Sequence, residues 1–539
     1  MKKILYALVV ATLLMGCGKG EVASPKVDHV VIIGLDAMSS HGMQRATTPN
    51  LNRMIENGAS SINGRCILTP ASTQNWATML TGAIPVQHGV TGNPWQRDNH
   101  RIDPYIANED GLFPSIFDWV REGRKDAKVY MLHEWKNVKR MFSWERVNIC
   151  EKTPTGEATF ERVEELFFAD RPDLLYMHIL DTDHVGHNDG HDTEEFYSCI
   201  EKYDTLIGQF VERVEKEGLL DNTLIMVVAD HGGFLGTHSG ESEKAIEIPI
   251  ILYGGGVQKG VTLSKYFIFD VAPTAAWAMG VEWPEYVCVG KPLTEAFDKR
   301  NRGNLAYAPV ARPSHNGALF HEPIDLTLTA DWPTAEVRYT TDGTIPTKES
   351  PLYTAPIHIE KDCTVRFATY VGDVRSKDSF EHYRFSMGQE RKVRWYLYED
   401  PGSIYVPDFK GMYASDSGYS YDISLDEIQP KNDKFAVRYK ATIHIAEDGK
   451  YRFHSRSDDG CWLKVDGKVV FASSTSHFQE NYGDTKLTAG NHEIEVGYFQ
   501  KGKRKHLSLL INRVGAEKAA EKFLAPADFC EPWIWNFVR

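Results

Sequence analysis

The sequence is poor in several features that would place it in common protein classes. Of its 539 residues only eight are cysteines, no two of them form a C-x-x-C pair, and seven remain after Cys17. An odd number excludes a complete disulfide framework without a free thiol, so we expect most of the seven to be small buried hydrophobic residues. The formal net charge of -14 argues against a nucleic-acid polymer as partner, because non-specific binders of such polymers carry basic patches.

Long apolar runs are also absent, since no stretch after residue 17 could span a bilayer. The first 17 residues have the pattern of a secretion signal, with charged residues 1–3 followed by the short apolar run 4–15. Residues 14–17 resemble the bacterial lipobox, in which the cysteine becomes lipidated. Gly18 is not the aspartate that retains some lipoproteins at the inner membrane. We expect a cell-envelope protein anchored through Cys17 at the outer membrane; the alternative is an ordinary signal peptide.

The remainder of the chain changes character once. From residue 28 to 300, apolar strands alternate with helical periodicity at residues 51–57, 115–124, 161–168 and 193–217. This alternation predicts an α/β domain with a doubly wound, mostly parallel sheet. Short alternating strands and turn residues follow, predicting two β-sandwiches at residues 311–388 and 392–515 and a C-terminal tail at 516–539.

Three predicted strands end in acidic or histidine side chains. They lie at residues 30–36, 174–183 and 224–233, and the last two run on to further histidines. Ligands bind beyond the carboxyl ends of strands in open α/β sheets, so these side chains can converge on one crevice. Singly, each could be a turn residue or a helix cap. Together they are a nitrogen and oxygen ligand set that suits zinc: Asp36, Asp183, His187, Asp230, His231 and His238.

A helix is predicted to begin near Ser72, between the first and second of these strands. Pro70, the neighbouring hydroxyl residues and the apolar periodicity up to Gly82 support this start. Ser72 could be a simple helix cap. It could also be a nucleophile, because a helix N-terminus stabilises an alkoxide and an attached anionic group.

These motifs together resemble the alkaline phosphatase superfamily, and most closely its type I phosphodiesterase and nucleotide pyrophosphatase branch, over about residues 28–298. Six segments occur in the family's order and spacing: Gly34-Leu35-Asp36, Thr48-Pro49-Asn50-Leu51, Ser72-x-x-Asn75 to Thr81-Gly82, Asp183-x-x-Gly186-His187, Asp230-His231-Gly232-Gly233 and His238-Ser239-Gly240.

The resemblance implies two zinc ions and a serine nucleophile. One zinc would be held by Asp183, His187 and His238. The other would be held by Asp36, Asp230, His231 and the hydroxyl of Ser72. It also implies that Asn75 donates to a phosphoryl oxygen, and that an in-line displacement forms a phosphoseryl intermediate between metals roughly 4 Å apart.

Three departures from the family pattern bear on the substrate. Phosphodiesterases of this branch usually have threonine where this chain has Ser72, and many relatives place their last histidine much further along than His238. Alkaline phosphatases with a third metal have glutamate at the position of His178. Formylglycine sulfatases need a cysteine or serine followed by x-Pro-x-Arg, which residues 72–76 do not supply.

The two β-rich units resemble domains found beside glycan-active enzymes. Residues 336–357 resemble the C-terminal domain of chitobiase and β-hexosaminidase, and residues 457–494 resemble the lectin-like domain named from anthrax protective antigen. The resemblance implies that these domains act close to glycans, and glycan binding is one role that it allows. Asp458 and Asp459 match adjacent carboxylates that hold calcium in some sugar-binding relatives; the alternative is that they only shape a turn.

The sequence thus predicts a zinc-dependent hydrolase of phosphate esters, more specifically a phosphodiesterase acting on an extracytoplasmic glycan- or nucleotide-linked phosphate. Specificity is expected to lie in loops at residues 85–108 and 135–155. One alternative is a phosphomonoesterase or sulfatase of the same fold. Another, of a different class, is a surface glycan-binding protein with a vestigial catalytic domain, although every metal position keeps a competent ligand.

Overall fold

The structure is a computed structural model that describes residues 22–234, 236–238, 242–332, 334–377, 379–402, 405–473, 478–502, 505–515 and 522–530. The predicted signal peptide with Cys17, Ser239 and Gly240, and most of the predicted tail lie outside the described residues. Within the described ranges, no helix is both long and apolar enough to cross a bilayer. Each cysteine in these ranges is a free thiol.

An eight-stranded sheet forms the centre of the first domain. Its strands are β1 (His29–Leu35), β2 (Ala59–Arg65), β3 (Val129–His133), β4 (Ile149–Lys152), β5 (Leu174–Ile179), β6 (Thr223–Ala229), β7 (Glu247–Gly254) and β8 (Val261–Thr262). Their spatial order is β4-β3-β5-β1-β6-β7-β2-β8, and only the pairs that involve β7 are antiparallel. β5 and β6 are buried at every residue, so both faces of the sheet are covered. The predicted mostly parallel α/β sheet is confirmed.

Helices of this domain follow the predicted periodicities within a few residues. They are α1 (Ser40–Arg45), α2 (Pro49–Asn57), α3 (Ser72–Thr81), α4 (Pro85–His88), α5 (Ile116–Gly123), α6 (Gly156–Asp170), α7 (Asp181–Asn188), α8 (Glu194–Lys216), α9 (Glu243–Ile246) and α10 (Val271–Met279). Short 3-10 turns lie at Lys136–Met141, Trp144–Arg146, Leu220–Asn222, Ile268–Asp270, Thr294–Phe297, Lys299–Asn301 and Pro526–Asp528.

The register of three adjacent strands determines where their ends lie. Leu35, the last residue of β1, is paired with Ile179 of β5 on one side and with Ala229 of β6 on the other. Because all three strands are parallel and end at the same level, the residues that follow them emerge at one edge of the sheet. Asp36 and Asp230 are the first residues beyond β1 and β6.

The first β-rich unit is built from short strands around its own apolar core. Its strands are β9 (Arg312–Pro313), β10 (Leu319–Phe320), β11 (Ile324–Leu326), β12 (Leu328–Thr329), β13 (Glu336–Thr340), β14 (Ile357–Ile359), β15 (Cys363–Val371), β16 (Val374–Arg375) and β17 (Ser379–Phe385). The largest sheet has the order β10-β17-β15-β13, with β16 paired to β15, and two two-stranded sheets complete the unit.

The second β-rich unit consists of two sheets around one core. The six-stranded sheet has the order β19-β18-β20-β25-β22-β23 and the four-stranded sheet the order β24-β21-β26-β27. The strands are β18 (Val393–Glu399), β19 (Asp416–Ser420), β20 (Phe435–Ile445), β21 (Gly449–Asp458), β22 (Gly460–Val465), β23 (Lys468–Ser473), β24 (Gln479–Leu487), β25 (Gly490–Gln500), β26 (His506–Arg513) and β27 (Lys522–Phe523).

This second unit extends beyond the boundary predicted at residue 515. The sequence shows helical spacing near residues 516–523, but residues 522–523 form strand β27, which pairs with β26. Leu524 and Phe529 are buried in the same core, and Cys530 N donates to Thr442 O at 2.9 Å. Residues 516–521 lie outside the described residues, and pairing with β26 makes residues 522–523 part of the second unit.

Candidate metal centre

The candidate ligands are brought together by three strand ends, one short helix and one loop. The segment predicted as strand up to residue 183 differs from the structure, because β5 ends at Ile179 and α7 begins at Asp181. Helical geometry then places Asp183 and His187, four residues apart, on the same face of α7. The loop after β6 carries His231 at its start and His238 at its end.

Ligand atoms converge in two groups that share His231. Within the described residues, one group consists of Asp36, Asp230 and His231, and the other of Asp183, His231 and His238; in each group the ligand atoms lie within 4.8 Å of one another. His187 adjoins the second group, since its Nε2 lies 3.4 Å from Asp183 Oδ1. All six ligands expected from the sequence therefore lie in one crevice.

The three histidines are oriented in the same way. His231 Nδ1 donates to Gly232 O at 2.8 Å, His187 Nδ1 donates to Gly236 O at 3.0 Å, and His238 Nδ1 donates to Pro70 O at 2.5 Å. A carbonyl oxygen can only accept, so each Nδ1 carries a proton, and it is Nε2 that each ring presents to the crevice. Such backbone contacts orient imidazoles that bind metals.

Each Nε2 in turn faces a carboxylate. His231 Nε2 lies 3.5 Å from Asp36 Oδ1 and 3.3 Å from Asp230 Oδ2, while His238 Nε2 lies 4.0 Å from Asp183 Oδ1. Burial lowers the pKa of His231 to about 3, so its imidazole is neutral and suited to bind a cation.

Three buried carboxylates lie close together in this crevice, and the neutral imidazole of His231 does not balance their negative charge. Asp36 Oδ1, Asp183 Oδ1 and Asp230 Oδ2 are each buried and accept no hydrogen bond from any of the described residues. Burial, together with the negative charge of Asp36, raises the pKa values of Asp183 and Asp230 well above the usual range. Buried carboxylates of this kind are normally paired or bound to metal, so the donor set fits two divalent cations.

Asp36 is held by two further side chains. Its Oδ2 accepts from His178 Nε2 at 3.1 Å and from Trp76 Nε1 at 3.2 Å, which leaves Oδ1 directed at His231. Burial raises the pKa of Asp36, but the bond from His178 and the nearby imidazole charge outweigh burial and bring the pKa to about 2. Gly34 makes room for Trp76, because a Cβ there would lie 2.5 Å from the indole.

Ser72 lies at the mouth of the centre as the first residue of α3. Its hydroxyl oxygen is 3.2 Å from His231 Nε2, and the residue is only 6% exposed. Ala71 is the helix cap, so the Ser72 hydroxyl does not serve the capping role that the sequence also allows. The hydroxyl is therefore available to a ligand at the metal centre.

Asn75 is positioned differently from the role inferred from the resemblance. Its Oδ1 accepts from Ile67 N at 2.9 Å, and its Nδ2 donates to Ala71 O at 3.1 Å and to Thr69 O at 3.4 Å. The side chain is fully buried and holds the segment that precedes α3. With both amide hydrogens directed at backbone carbonyls, Asn75 supports the nucleophile segment rather than facing the crevice.

Asn93, which sequence reasoning missed, contacts Thr73, the residue that follows Ser72. Its Oδ1 accepts from Thr73 N at 3.0 Å and from Thr73 Oγ1 at 2.9 Å, directly beside Ser72. Asn93 is exposed, and its Nδ2 group has no hydrogen-bond partner among the parts of the chain that the structure describes. It lies within the predicted specificity loop 85–108, but nothing in its local sequence marks it.

His191 was also missed, although it follows His187 by four residues. It is 1% exposed and packs against Gly186 and Gly233, where a Cβ would lie within 2.3 Å of its ring atoms. Neither ring nitrogen has a hydrogen-bond partner within the described ranges. Burial lowers its pKa well below the usual range, so it is a neutral imidazole behind His187.

Asp458 and Asp459 lie far along the chain, at the turn between β21 and β22. Both are almost fully buried, and Asp459 Oδ2 accepts from Lys501 N at 2.6 Å. No third carboxylate or histidine joins them in a ligand group among the residues that can be described. The contact to Lys501 fits the turn-shaping alternative, and a calcium site stays a prediction.

Together, fold and site define the first domain as an α/β domain of the alkaline phosphatase type with a candidate two-metal centre. Residues 30–237 match the family model described as Type I phosphodiesterase / nucleotide pyrophosphatase. Residues 326–382 match "Fn3 associated" and residues 396–522 match "PA14 domain". The first domain is therefore similar to Type I phosphodiesterase / nucleotide pyrophosphatase domains, and the two β-rich units are called the Fn3-associated and PA14 domains after the families they match.

The protective-antigen-type assignment of the last unit is thus confirmed. For the first β-rich unit, the matching family is Fn3 associated, and a chitobiase-type relationship stays a prediction.

Curated relatives match only part of the chain. Ectonucleotide pyrophosphatase/phosphodiesterase 1 of Saccharomyces cerevisiae is 23% identical over 249 residues, covering 38% of this chain and 33% of the relative. Family member 7 of Rattus norvegicus is 20% identical over 242 residues, covering 42% and 54%. This chain thus spans between a third and about half of these relatives. Murine ectonucleotide pyrophosphatase/phosphodiesterase 5 aligns with a TM-score of 0.41 at 13% identity, covering 48% of this chain and 96% of that one.

We predict that Trp76→Phe lowers zinc affinity about tenfold, because it keeps the ring but removes a hydrogen bond to Asp36, and loss of such supporting bonds typically costs 10- to 100-fold. Chelator competition would measure this. Trp119→Phe is the matched control, since the indole nitrogen of buried Trp119 has no partner. Equal zinc affinity of both variants and the parent protein would contradict the assigned role of Trp76.

Proposed function

We propose that the protein is a zinc-dependent hydrolase of phosphate esters, with phosphodiesters as its preferred substrates. One observation carries this proposal: three histidines with backbone-anchored Nδ1 atoms direct Nε2 toward three buried, unpartnered carboxylate oxygens beside the Ser72 hydroxyl. Asp36, Asp230, His231 and Ser72 would hold one zinc, and Asp183, His187 and His238 the other. The match of residues 30–237 to the Type I phosphodiesterase / nucleotide pyrophosphatase family supports phosphate ester hydrolysis as the reaction.

Ser72 is the nucleophile in this proposal. Its oxygen would form the new bond to phosphorus while the bond to the leaving alcohol breaks, which gives a phosphoseryl intermediate that still carries the second ester group. Water would then cleave the bond between phosphorus and the Ser72 oxygen, release a phosphomonoester and restore the serine hydroxyl. When bound, the zinc ions supply Lewis acidity that favours the Ser72 alkoxide and stabilises the leaving oxygen. Asn75 and Trp76 keep the start of α3 and Asp36 in place.

Asn93 is the better-placed donor for a phosphoryl oxygen. The Thr73 N–H donates to Asn93 Oδ1, so that backbone donor of the helix start is already occupied. The same bond fixes the orientation of the amide and leaves Asn93 Nδ2 as a donor next to Ser72. Such a preoriented donor stabilises charge that develops on the equatorial oxygens.

An extracytoplasmic glycan- or nucleotide-linked phosphodiester is the substrate class that we propose. The names of the curated relatives, ectonucleotide pyrophosphatase/phosphodiesterases, support a nucleotide-like leaving group. The PA14 match supports a carbohydrate ligand for the last domain, with Asp458 and Asp459 as its proposed calcium ligands. A chitobiase-type role of the first β-rich unit would fit the same setting.

Ser72→Ala is expected to lower hydrolysis of bis-(p-nitrophenyl) phosphate at least 1000-fold, because the nucleophile is removed, while the fold stays intact and zinc stays bound through Asp36, Asp230 and His231. Rates with nitrophenyl monoester, diester and sulfate in parallel would test substrate class. Thr223→Val, at the opposite end of β6, removes a buried hydroxyl without a partner and is the control.

Two outcomes would contradict the proposal. Preference for the sulfate would favour the sulfatase alternative. A protein that binds no zinc, with the same rate before and after Ser72→Ala, would favour a glycan-binding protein with a vestigial catalytic domain.

Arg140 favours phosphomonoester hydrolysis as the second candidate function. Its Nη2 donates to Thr73 Oγ1 at 3.1 Å and to Asn93 O at 2.6 Å, so the guanidinium lies beside the residue that follows Ser72. Its Nε is buried without a partner. A phosphomonoester dianion carries one more negative charge than a diester, and an adjacent guanidinium would stabilise it more strongly.

We predict that Arg140→Gln lowers kcat/KM for the monoester about 100-fold and for the diester less than tenfold, because one charge-assisted contact is worth a few kcal/mol. Lys139→Gln is the matched control, since Lys139 packs over Trp144 instead. Parallel losses for both substrates would contradict a charge-selective role of Arg140.

Lipid anchoring through Cys17 at the outer membrane is the proposed location, supported by the lipobox pattern at residues 14–17. Cys17→Ala should abolish incorporation of labelled palmitate and move the protein from the membrane fraction to the soluble periplasmic fraction, as fractionation of cells would show. Unchanged fractionation would instead support an anchor-free protein or a different mode of attachment.

A further inference from the structure

The loop at residues 231–238, called here the ligand loop, carries more of the metal centre than its two histidines. Phe234 N donates to Thr237 O at 2.8 Å and Thr237 N donates to Phe234 O at 3.2 Å, so these two residues form an antiparallel β-bridge. Gly236 O accepts from His187 Nδ1. The position of this turn therefore determines the orientation of His187 as well as the place of His238.

The ring of Phe234 contacts the PA14 domain instead of the core of its own domain. It lies edge-to-face against Phe478, with centroids 6.3 Å apart, and the guanidinium of Arg456 is 5.3 Å from its centroid. On the catalytic domain, Lys244 of α9 lies 5.4 Å from the same ring and is fixed by an ion pair with Asp192 at 2.9 Å. Both cations are within cation–π range of one ring.

We propose that the PA14 domain positions the metal ligands through this contact, which we call the Phe234 clamp: Phe234, Lys244, Arg456 and Phe478. The clamp acts on the site of Asp183, His187 and His238, because the latter two depend on the turn. His231 lies only two residues beyond the end of strand β6, and Asp36 and Asp230 directly follow β1 and β6, so the site of Asp36 and Asp230 does not need the clamp. This inference rests on the proposed two-zinc function.

Other contacts also hold the domains together, so the clamp can be weakened without separating them. Its effect on the metal ligands can therefore be measured apart from domain association. Arg45 contacts Glu381 at 3.5 Å and Lys377 contacts Glu243 at 3.2 Å, joining the catalytic and Fn3-associated domains. Arg384 pairs with Asp422 and joins the Fn3-associated domain to the start of the PA14 domain. Loss of one cation at Phe234 leaves these contacts in place.

The test compares Arg456→Gln with Arg452→Gln in the full-length protein. The two arginines lie four residues apart on β21, and each pairs with a carboxylate: Arg456 with Glu480 at 3.1 Å, and Arg452 with Asp484 at 2.7 Å. Arg456 also lies over the ring of Phe234. Zinc affinities of both sites would be measured by chelator competition, and protection of residues 231–238 by hydrogen exchange of the metal-free protein.

Arg456→Gln and Phe234→Leu are expected to lower the zinc affinity of the site formed by Asp183, His187 and His238 about tenfold. The zinc affinity of the site that includes Asp36 and Asp230 should not change, and hydrogen exchange in the ligand loop should become faster. Arg452→Gln should change neither, and Arg456→Lys or Phe234→Tyr should restore both. If both zinc sites kept the affinity of the parent protein in Arg456→Gln and Phe234→Leu, the clamp proposal would be overturned.

A parent protein that binds no zinc would refute the proposed function instead. The clamp would then be judged by loop exchange alone, and unchanged exchange in Arg456→Gln and Phe234→Leu would overturn it. Equal losses in Arg452→Gln and Arg456→Gln would also overturn it, because they would indicate a general effect of the domain surface.

Discussion

Mutual repulsion of buried carboxylates is the constraint around which the first domain is arranged. Asp36, Asp183 and Asp230 lie in one crevice, and each has an oxygen without a hydrogen-bond partner. In a low-dielectric interior such a cluster is stable only with proton uptake or with bound positive charge. The raised pKa values of Asp183 and Asp230 express this strain, and because the imidazole of His231 is neutral, a metal is the natural counter-charge.

Support for this centre extends outward in steps. Backbone carbonyls fix the tautomer of each histidine, and His178 and Trp76 fix one oxygen of Asp36 so that the other faces the crevice. Asn75 fixes the segment before Ser72, and Asn93 occupies the backbone donor of Thr73. Farther out, the PA14 domain reaches the ligand loop at Phe234. Each of these contacts restricts the orientation or the position of a candidate ligand or of Ser72.

Particular elements show where local patterns were sufficient. Strands β1, β5 and β6 are continuous apolar runs buried on both faces, so their positions follow from the sequence. The sequence pattern predicts a strand up to Asp183, whereas the structure has helix α7 beginning at Asp181. A strand end and a helix start look alike in this segment, and only packing against the next helix separates them. Asn75 matched a motif by spacing, whereas Asn93 is 21 residues from Ser72 and reaches it only through the fold.

The sequence by itself determined the mostly parallel α/β sheet, the two β-rich units and the six candidate ligands that the fold brings into one crevice, because hydrophobic periodicity and strand-end chemistry are local. The tertiary structure alone decided which nitrogen of each histidine faces the crevice, which asparagine lies beside Ser72, and that Phe234 lies against Arg456. These relations join residues up to hundreds of positions apart. They depend on distances and directions between packed elements, which no local pattern in the sequence contains.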